Sequence, residues 1–331
     1  MPHPPDAPES TLTLEQESPQ LLDKPRCEVT LVDGTDFDLT PLSLQQLEDL
    51  HWEQEVAFAE AIKRSTKGSV ARTDTISLAY ETVCTILGEI SRREGHADFA
   101  MGMDPRYSQM VLERLAAFGP RDETEPLDLF EIGFGAGLLL EVAANAGYGV
   151  GGLEVAPPLL AQAKERLPIA HHHHLVLGDF IKSDAIDALA GRCRVVYWND
   201  VFEHVPVDEI EDYLARIHRM LVPGGELISI TPNWHMRPSD VTADYQPPRT
   251  TAMGFHLKEY TLCEIVGLLK AAGFQNVATP SFISKRRIAH RACSNWTPLK
   301  AILEPWLEWL PYPAAVQCCR RFGFNCTIAR K

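Results

Sequence analysis

Leu127 to Gly137 reads LDLFEIGFGAG, and the two halves of this stretch obey different rules. Leu127 to Gly133 is a short apolar run of the kind that fills a strand covered on both faces, with Glu131 near its end. Glycines 133, 135 and 137 then let the backbone turn sharply and approach a ligand with no Cβ in the way. Leu138 to Ala146 follows as a helix, and its first N–H groups have no partner within it. A strand, a glycine turn and a helix N-terminus in succession make a cradle for a nucleotide-like ligand.

The same texture continues on the C-terminal side. Short apolar runs recur at 149–155 (GVGGLEV), 174–179 (HLVLGD), 194–200 (RVVYWND), 225–231 (GELISIT), 276–284 (NVATPSFIS) and 325–331 (NCTIARK), which with 127–133 predicts seven strands. Amphipathic stretches at Pro158–Arg166, Asp184–Ala190, Val207–Met220 and Leu262–Ala272 lie between them and are sized to cross back over a sheet. Alternation of this kind predicts an α/β fold, a mostly parallel sheet with helices on both faces. On the N-terminal side, Leu42 to about Phe118 spaces its apolar residues at three and four, as in LSLQQLEDLHWEQEVAFAEAIKR, and predicts a small helical cap. Residues 1 to about 25 are Pro-rich, polar and acidic, and read as a flexible tail.

Leu138 stands where a dinucleotide fingerprint would carry its third glycine, which disfavours an NAD-linked oxidoreductase. Glu154 closes the second strand, placed to accept hydrogen bonds from both hydroxyls of a ribose. Asp179 and Phe180 follow the third strand in LVLGDF, and Asn199 ends the fourth. Beyond it, NDVFEHV supplies Asp200, Glu203 and His204 at the carboxyl edge where ligands bind in such sheets. His256, in GFHLKEYT, ends a long loop from Pro232 that also holds His235 and Tyr245, and long loops on a rigid sheet carry substrate contacts. The run His171 to His174 falls directly before the third strand, where alternate side chains point to opposite faces and do not converge on one ion.

In this order and spacing the motifs resemble those of the class I S-adenosylmethionine-dependent methyltransferases, whose core runs E/DxGxGxG, acidic strand end, GD and EHV. The resemblance covers about Leu127 to Phe274. It implies a Rossmann-like seven-stranded sheet with an antiparallel last strand, and S-adenosylmethionine as cofactor. It further implies that Glu131 lies near the methionine amino group, and that Gly133, Phe134, Gly135 and Gly137 line the cofactor. Glu154, with Val155 beside it, would bind the ribose, Asp179 and Phe180 the adenine, and Asn199 the methionine moiety. NDVFEHV also looks like the DxxEH pattern of ubiquinone-biosynthesis O-methyltransferases, where such acids and histidine are associated with a divalent cation. Here two readings stay open: base or cation ligand, and a histidine that only orders the loop. The domain organisation expected is a tail to residue 25, a helical cap over 26–120 and a methyltransferase domain over 121–331.

Hairpins of strands six and seven close sheets of this class, so residues from about Arg287 to Phe322 form an insert, rich in Trp, Pro and Arg. A lid on the acceptor pocket, a membrane-surface element and a homodimer contact compete as readings, and Glu304, Glu308, Pro305 and Pro311 interrupt the apolar run that a membrane helix needs. Nine Lys/Arg against two Glu between Phe282 and Lys331 leave this segment at +7, the rest of the 331-residue chain at −21 and the whole at −14. That balance excludes nucleic acid as the main partner, because phosphate binding needs a basic footprint. Apolar residues make up 45%, charged residues 23%, and the apolar runs fall well short of the roughly 20 residues needed to cross a bilayer. Eight cysteines without CxxC spacing read as reduced thiols of a cytoplasmic protein. The expected reaction is methyl transfer to a hydroxyl of a small molecule, either a tailoring or cell-surface-sugar metabolite or a quinone-type phenol. N-methylation of a small amine and a non-catalytic cofactor-fold binding protein are the alternatives.

Overall fold

The computed structural model of the chain describes residues 27–95, 104–119, 127–290 and 296–331. The tail expected over residues 1–25 and Cys293 lie outside these. At the centre is a seven-stranded sheet. Its strands are β1 (Leu127–Ile132), β2 (Val150–Glu154), β3 (Leu175–Leu177), β4 (Cys193–Asn199), β5 (Leu221–Ile230), β6 (Gln275–Ala278) and β7 (Cys326–Arg330). Their order across the sheet is β3-β2-β1-β4-β5-β7-β6. Strands β1 to β5 pair in parallel, and β7 runs antiparallel to both its neighbours.

Successive side chains of a strand point to opposite faces, and this divides the core in two. Phe130, Val196, Trp198 and Leu227 face a cluster closed by Leu214 and Ile217 of helix Ile210–Met220 and by Ile265 and Leu269 of helix Leu262–Ala271. Their neighbours Leu129, Val195, Tyr197 and Ile228 face the other layer, where Leu140 of helix Leu138–Asn145 and Ala163 of helix Pro157–Arg166 pack. Helix Pro105–Ala117, within the stretch read as cap, also packs on this second face through Met110, Val111 and Leu115. Since β2 and β4 lie on opposite sides of β1, the connections diverge there and leave a crevice at the carboxyl ends of β1, β2 and β4.

Over this crevice stands a helical hairpin, Leu44–Arg64 and Val70–Arg93. Ser43 and Gln46 form a capping box at the first helix, and the Ser69 hydroxyl accepts from Arg72 N–H at the second. A small antiparallel ribbon, Glu28–Thr30 with Asp36–Asp38, which periodicity did not reveal, covers Leu47 and Ile86.

Four local expectations change. The sixth strand, expected to run to Ser284, divides: Pro280 follows its last paired residues, and Phe282–Ile283 turns away to pair with Ile288–Ala289. His171 to His174 form a 3₁₀ helix, Ile169–His174, rather than a strand start, with the His173 and His174 rings 3.8 Å apart. The helix expected over Asp184–Ala190 is a single turn, Asp184–Asp187. The fifth strand, expected to begin at Gly225, begins at Leu221, so that Pro223 and Gly224 lie inside β5, where pairing with β4 shifts register and Gly224 has φ +77°.

Candidate active site

The glycine turn is built from positions with unequal duties. Gly133, Gly135 and Gly137 all have positive φ. A Cβ on Gly133 would lie 2.7 Å from Val201 Cγ2, and one on Gly137 2.9 Å from Ala163 Cβ, so these two are set by packing of the turn and of the following helix. Gly135 alone has nothing within 4 Å of that position. Room for a ligand therefore exists at the middle glycine. The Phe134 side chain points away from it into the core, 4% exposed.

Glu154 closes the turn from the end of β2. Gly135 N–H donates to its Oε2 (2.8 Å), while Val155 and Ala156 N–H donate to Oε1 (2.8 and 3.0 Å). Burial raises its pKa, and these three hydrogen bonds oppose the rise. Three of the carboxylate's roughly four acceptor sites are thus spent on orienting the turn, which leaves one on Oε2. Glu131, on β1, is buried, its Oε2 has no hydrogen-bond partner, and burial followed by the charge of Glu154 holds it well above the usual carboxylate range. A buried, orphaned carboxyl beside a turn that leaves space over Gly135 fits the amino group and ribose that S-adenosylmethionine would bring.

On the adenine side, Asp179 accepts from Ile181 N–H (2.7 Å) and, at Oδ2, from the Thr73 hydroxyl of the cap (3.0 Å). Phe180 stacks on Tyr213 with ring centroids 5.2 Å apart and lies in the core, which leaves its backbone rather than its ring to face a ligand. Asn199 Nδ2 donates to Asp200 Oδ2 (2.8 Å), and Asp200 is held at φ +51° as the strand turns out of the sheet. Asp200 is exposed at the crevice, and the protein crowding that recess raises its pKa, against the charge of His256.

Behind Asp200 the chain buries an acid–imidazole cluster. Glu203 is fully buried and neither carboxylate oxygen has a hydrogen-bond partner. His256 Nε2 is 3.9 Å from Glu203 Oε1, and its Nδ1 is 3.1 Å from Glu259 Oε1, which also accepts from Ser239 N–H (2.7 Å). Burial works against a charge on His256. The hydrogen bond to Glu259 and the charges of Glu203, Glu259 and Asp240 outweigh it and lift the pKa to about 9. Burial pushes Glu203 up to about 8, opposed by His256 and reinforced by Asp200, so the two share the fate of their protons. His204, its ring 5.0 Å from that of His256, is pushed down to about 3 by burial and by His256 and is neutral. A cavity of 320 Å³ opens beside His256 and Glu259, walled by Trp234, Ala252 and Lys258.

Donor atoms of Glu203, His204 and His256 all lie within 4.8 Å of one another. One carboxylate and two imidazoles suit a borderline divalent cation, and the orphaned oxygens of Glu203 and Nδ1 of His204 fit such an occupant. Glu259 would then orient His256 from behind. The resemblance implies Asp200 beside Glu203 and His204 in such a group; the structure brings His256 to them, because the loop from Pro232 folds back, Lys258 N–H donating to Glu203 O. His235 and Tyr245 of the same loop lie elsewhere. His235 pairs with Glu308 (3.0 Å), and Tyr245 stacks on Trp52 at 4.7 Å.

Two residues that sequence reading had missed reach the site from the cap. Thr73 meets Asp179, and the Tyr80 ring lies 6.2 Å from His204 and 5.5 Å from Phe255. Burial and the charge of Glu154 push the Tyr80 phenol well up. Glu259 was missed too, although HxxE spacing after His256 was there to be read.

A parallel sheet with an antiparallel β7, a glycine turn answered by an acid at the next strand end and a polar cluster at β4 form the arrangement that the resemblance to class I S-adenosylmethionine-dependent methyltransferases implies. Comparison with known proteins agrees: residues 130–227 match the family described as a methyltransferase domain. Ubiquinone biosynthesis O-methyltransferases from two strains of Cereibacter sphaeroides are 35% and 33% identical over 141 residues, 40% of this chain and 53% of each relative. The chain thus spans about half the length of the curated relatives it matches. Among solved structures, a SAM-dependent methyltransferase from Archaeoglobus fulgidus aligns over 68% of this chain and 94% of its own, at 15% identity and TM-score 0.41.

Proposed function

We propose that the protein transfers the methyl group of S-adenosylmethionine to a hydroxyl of a small molecule, a sugar or cell-surface metabolite or a quinone-type phenol. The observation that carries this reading is a neutral imidazole, His204, beside the Glu203–His256–Glu259 cluster at the crevice. Bound S-adenosylmethionine supplies a methyl group on a sulfonium, a leaving group that needs no activation by the protein. Glu154 takes a ribose hydroxyl with the lone pair that its three backbone partners leave free on Oε2. Glu131 takes the amino group, Asp179 the adenine amine, and Asn199 faces the methionine moiety. Tyr80 and Phe255 exclude water from the acceptor side.

A hydroxyl needs a proton acceptor, whereas sulfonium chemistry alone does not. As the acceptor oxygen bonds to carbon it becomes a protonated ether, far more acidic than an imidazolium, so even the weakly basic His204 takes the proton. With no cation held by Glu203, His204 and His256, His256 is charged on Glu259 and keeps His204 neutral for that task; a bound cation would take both imidazoles as neutral ligands instead. Support also comes from the O-methyltransferase relatives, though over half their length. We place the protein in the cytoplasm, a reading supported by the seven described cysteines being free thiols.

The test is methyl transfer from labelled S-adenosylmethionine to separate panels of phenols, polyols and amines. Transfer to hydroxyls is expected, and His204→Ala should lower kcat by about 10²- to 10⁴-fold with S-adenosylhomocysteine affinity retained. Transfer confined to amines, or unchanged turnover in His204→Ala, would overturn the reading.

A further inference from the structure

The stretch 299–310 turns an apolar face to solvent. Leu299, Ile302, Leu303, Trp306 and Trp309 are exposed, Ile302 by 70% and Trp309 by 86%. Single apolar residues on a surface need no explanation, but a concentration of this size marks an interaction site. The glutamates that break the run in sequence do not break the face. Glu304 is 1% exposed and turns inward, accepting from Leu262 N–H (2.6 Å), Cys263 N–H (3.0 Å) and Asn233 Nδ2 (2.7 Å). Arg237 and His235 hold Glu308, and its pKa falls to about 2, chiefly through the hydrogen bond from Arg237. Pro305 marks the change from helix Thr297–Leu303 to the 3₁₀ turn Glu304–Trp309 and keeps the element short. The polar residues thus fasten this element to the body, and Glu308, its side chain 39% exposed, has its charge held by Arg237 and His235 beside the apolar side chains that face outward.

Beside this face lie exposed cations. Lys300, buried, donates to Phe322 O (2.5 Å), which brings the end of helix Tyr312–Phe322 against helix Thr297–Leu303. That end carries Arg320 and Arg321, and the Phe322 ring meets exposed Phe282 at 6.0 Å. Arg320, Arg321 and Lys285 are exposed, have no ion pair among the described residues, and line a cavity of 620 Å³ with Arg106 and Tyr107.

We propose that this face docks on an anionic lipid bilayer, with Trp306, Trp309 and Ile302 at headgroup depth and Lys285, Arg320 and Arg321 against lipid phosphates. Trp beside Leu and Ile, rimmed by Lys and Arg, is the composition of an interfacial element. The charge argues for the same occupant: a segment of +7 on a chain of −14 meets an anionic surface with the acidic remainder turned away. A two-fold contact between copies would set Arg320 and Arg321 near their own equivalents. No described helix is long and apolar enough to cross a membrane, so the contact is peripheral.

The test uses the full chain with vesicles of phosphatidylcholine alone and of phosphatidylcholine mixed with phosphatidylglycerol. Co-sedimentation and a blue shift of tryptophan emission are expected with the anionic vesicles, weakening with salt. Trp306→Ser with Trp309→Ser, and separately Arg320→Glu with Arg321→Glu, should each lower the partition coefficient by about tenfold or more. All four side chains are exposed, so circular dichroism and S-adenosylhomocysteine binding should not change. Absence of binding to anionic vesicles, or binding that neither variant weakens, overturns the proposal. So does a dimer in sedimentation velocity that Trp306→Ser with Trp309→Ser dissociates, since the face would then be covered by a second copy.

Discussion

Glu154 shows how one carboxylate serves both fold and ligand. It accepts three backbone N–H groups and still faces the space over Gly135. Charge-assisted hydrogen bonds of this kind contribute about 1.5–3 kcal/mol each, so Glu154→Ala should raise the Kd for S-adenosylhomocysteine by about tenfold or more and also lower Tm. Calorimetric titration beside thermal unfolding checks both, and retained affinity would move the ribose elsewhere. Titration of the acid–imidazole cluster gives a second expectation, with its sign fixed by proton counts. His256 is raised from 6.5 to about 9 and Glu203 from 4.5 to about 8, so the folded state holds protons that the unfolded state has released. His256 therefore contributes stability that is full below about pH 6.5 and lost towards 9, and Glu203 contributes stability that is full below its unfolded value and lost towards 8. His204, lowered from 6.5 to about 3, acts oppositely and costs stability only in acid. Melting temperature should fall between pH 6.5 and 9, and the Glu203→Gln, His256→Gln double variant should fall less steeply over that window. Parallel slopes would sink the assignment of protons to this pair.

Among elements, the glycine turn separates packing from binding. Gly137→Ala sets a methyl group against Ala163 at a positive φ, which should destabilise the fold by about 1–3 kcal/mol as helix Leu138–Asn145 loses its seat on helix Pro157–Arg166. Gly135→Ala sets its Cβ in open space but at φ +55°, so it should cost about 1 kcal/mol through backbone strain, with no clash added, and should lower cofactor affinity. Urea unfolding of both variants, with ligand titration, distinguishes them; equal losses of stability would show the middle glycine to be structural as well. This turn was legible because strand, glycines, Glu154 and Asn199 each mark an element end by local pattern. Pairing of Glu203 with His256 was not, since it depends on how the loop from Pro232 folds back, and loops carry no periodicity. Thr73 and Asp179 are 106 residues apart, and no spacing rule spans that distance. Strand six was overextended for the opposite reason: its β-rich composition continues past Pro280 while its pairing does not.

For the whole molecule, the question is what holds the cap over the crevice. Beside the packing of Trp52, Phe58 and Tyr80 on the loop from Pro232, a group of polar contacts with the body gathers at the N-terminus of helix Val70–Arg93. Arg72, 3% exposed, reaches Asp208 and Glu209 (2.7 Å each), Gly68 N–H donates to Glu209 (3.1 Å), Thr73 meets Asp179, and Lys182 donates to Ser69 O (3.1 Å). Burial opposes the charge of Arg72, but hydrogen bonds to Asp208 and Glu209 more than offset it. Arg72→Ala leaves Glu209, itself buried, without its cation, which should cost about 2–4 kcal/mol, less than a wholly buried pair because Asp208 is half exposed. Helix Leu44–Arg64 retains its own grip through Glu55, which accepts from Phe255 N–H (3.2 Å), so the cap should loosen at one end rather than detach. Limited proteolysis reads this directly: the segment from Ser65 to Ser69 should be cut about tenfold faster in Arg72→Ala, while the sheet resists. Tyr80 and Cys84 of the same helix feel the charge of Glu154, so a ligand at Glu154 lies under the cap, and saturating S-adenosylhomocysteine should slow that cleavage again. Cleavage at the wild-type rate would mean that Arg72 does not hold the cap, and cleavage indifferent to ligand would place the cofactor outside its cover.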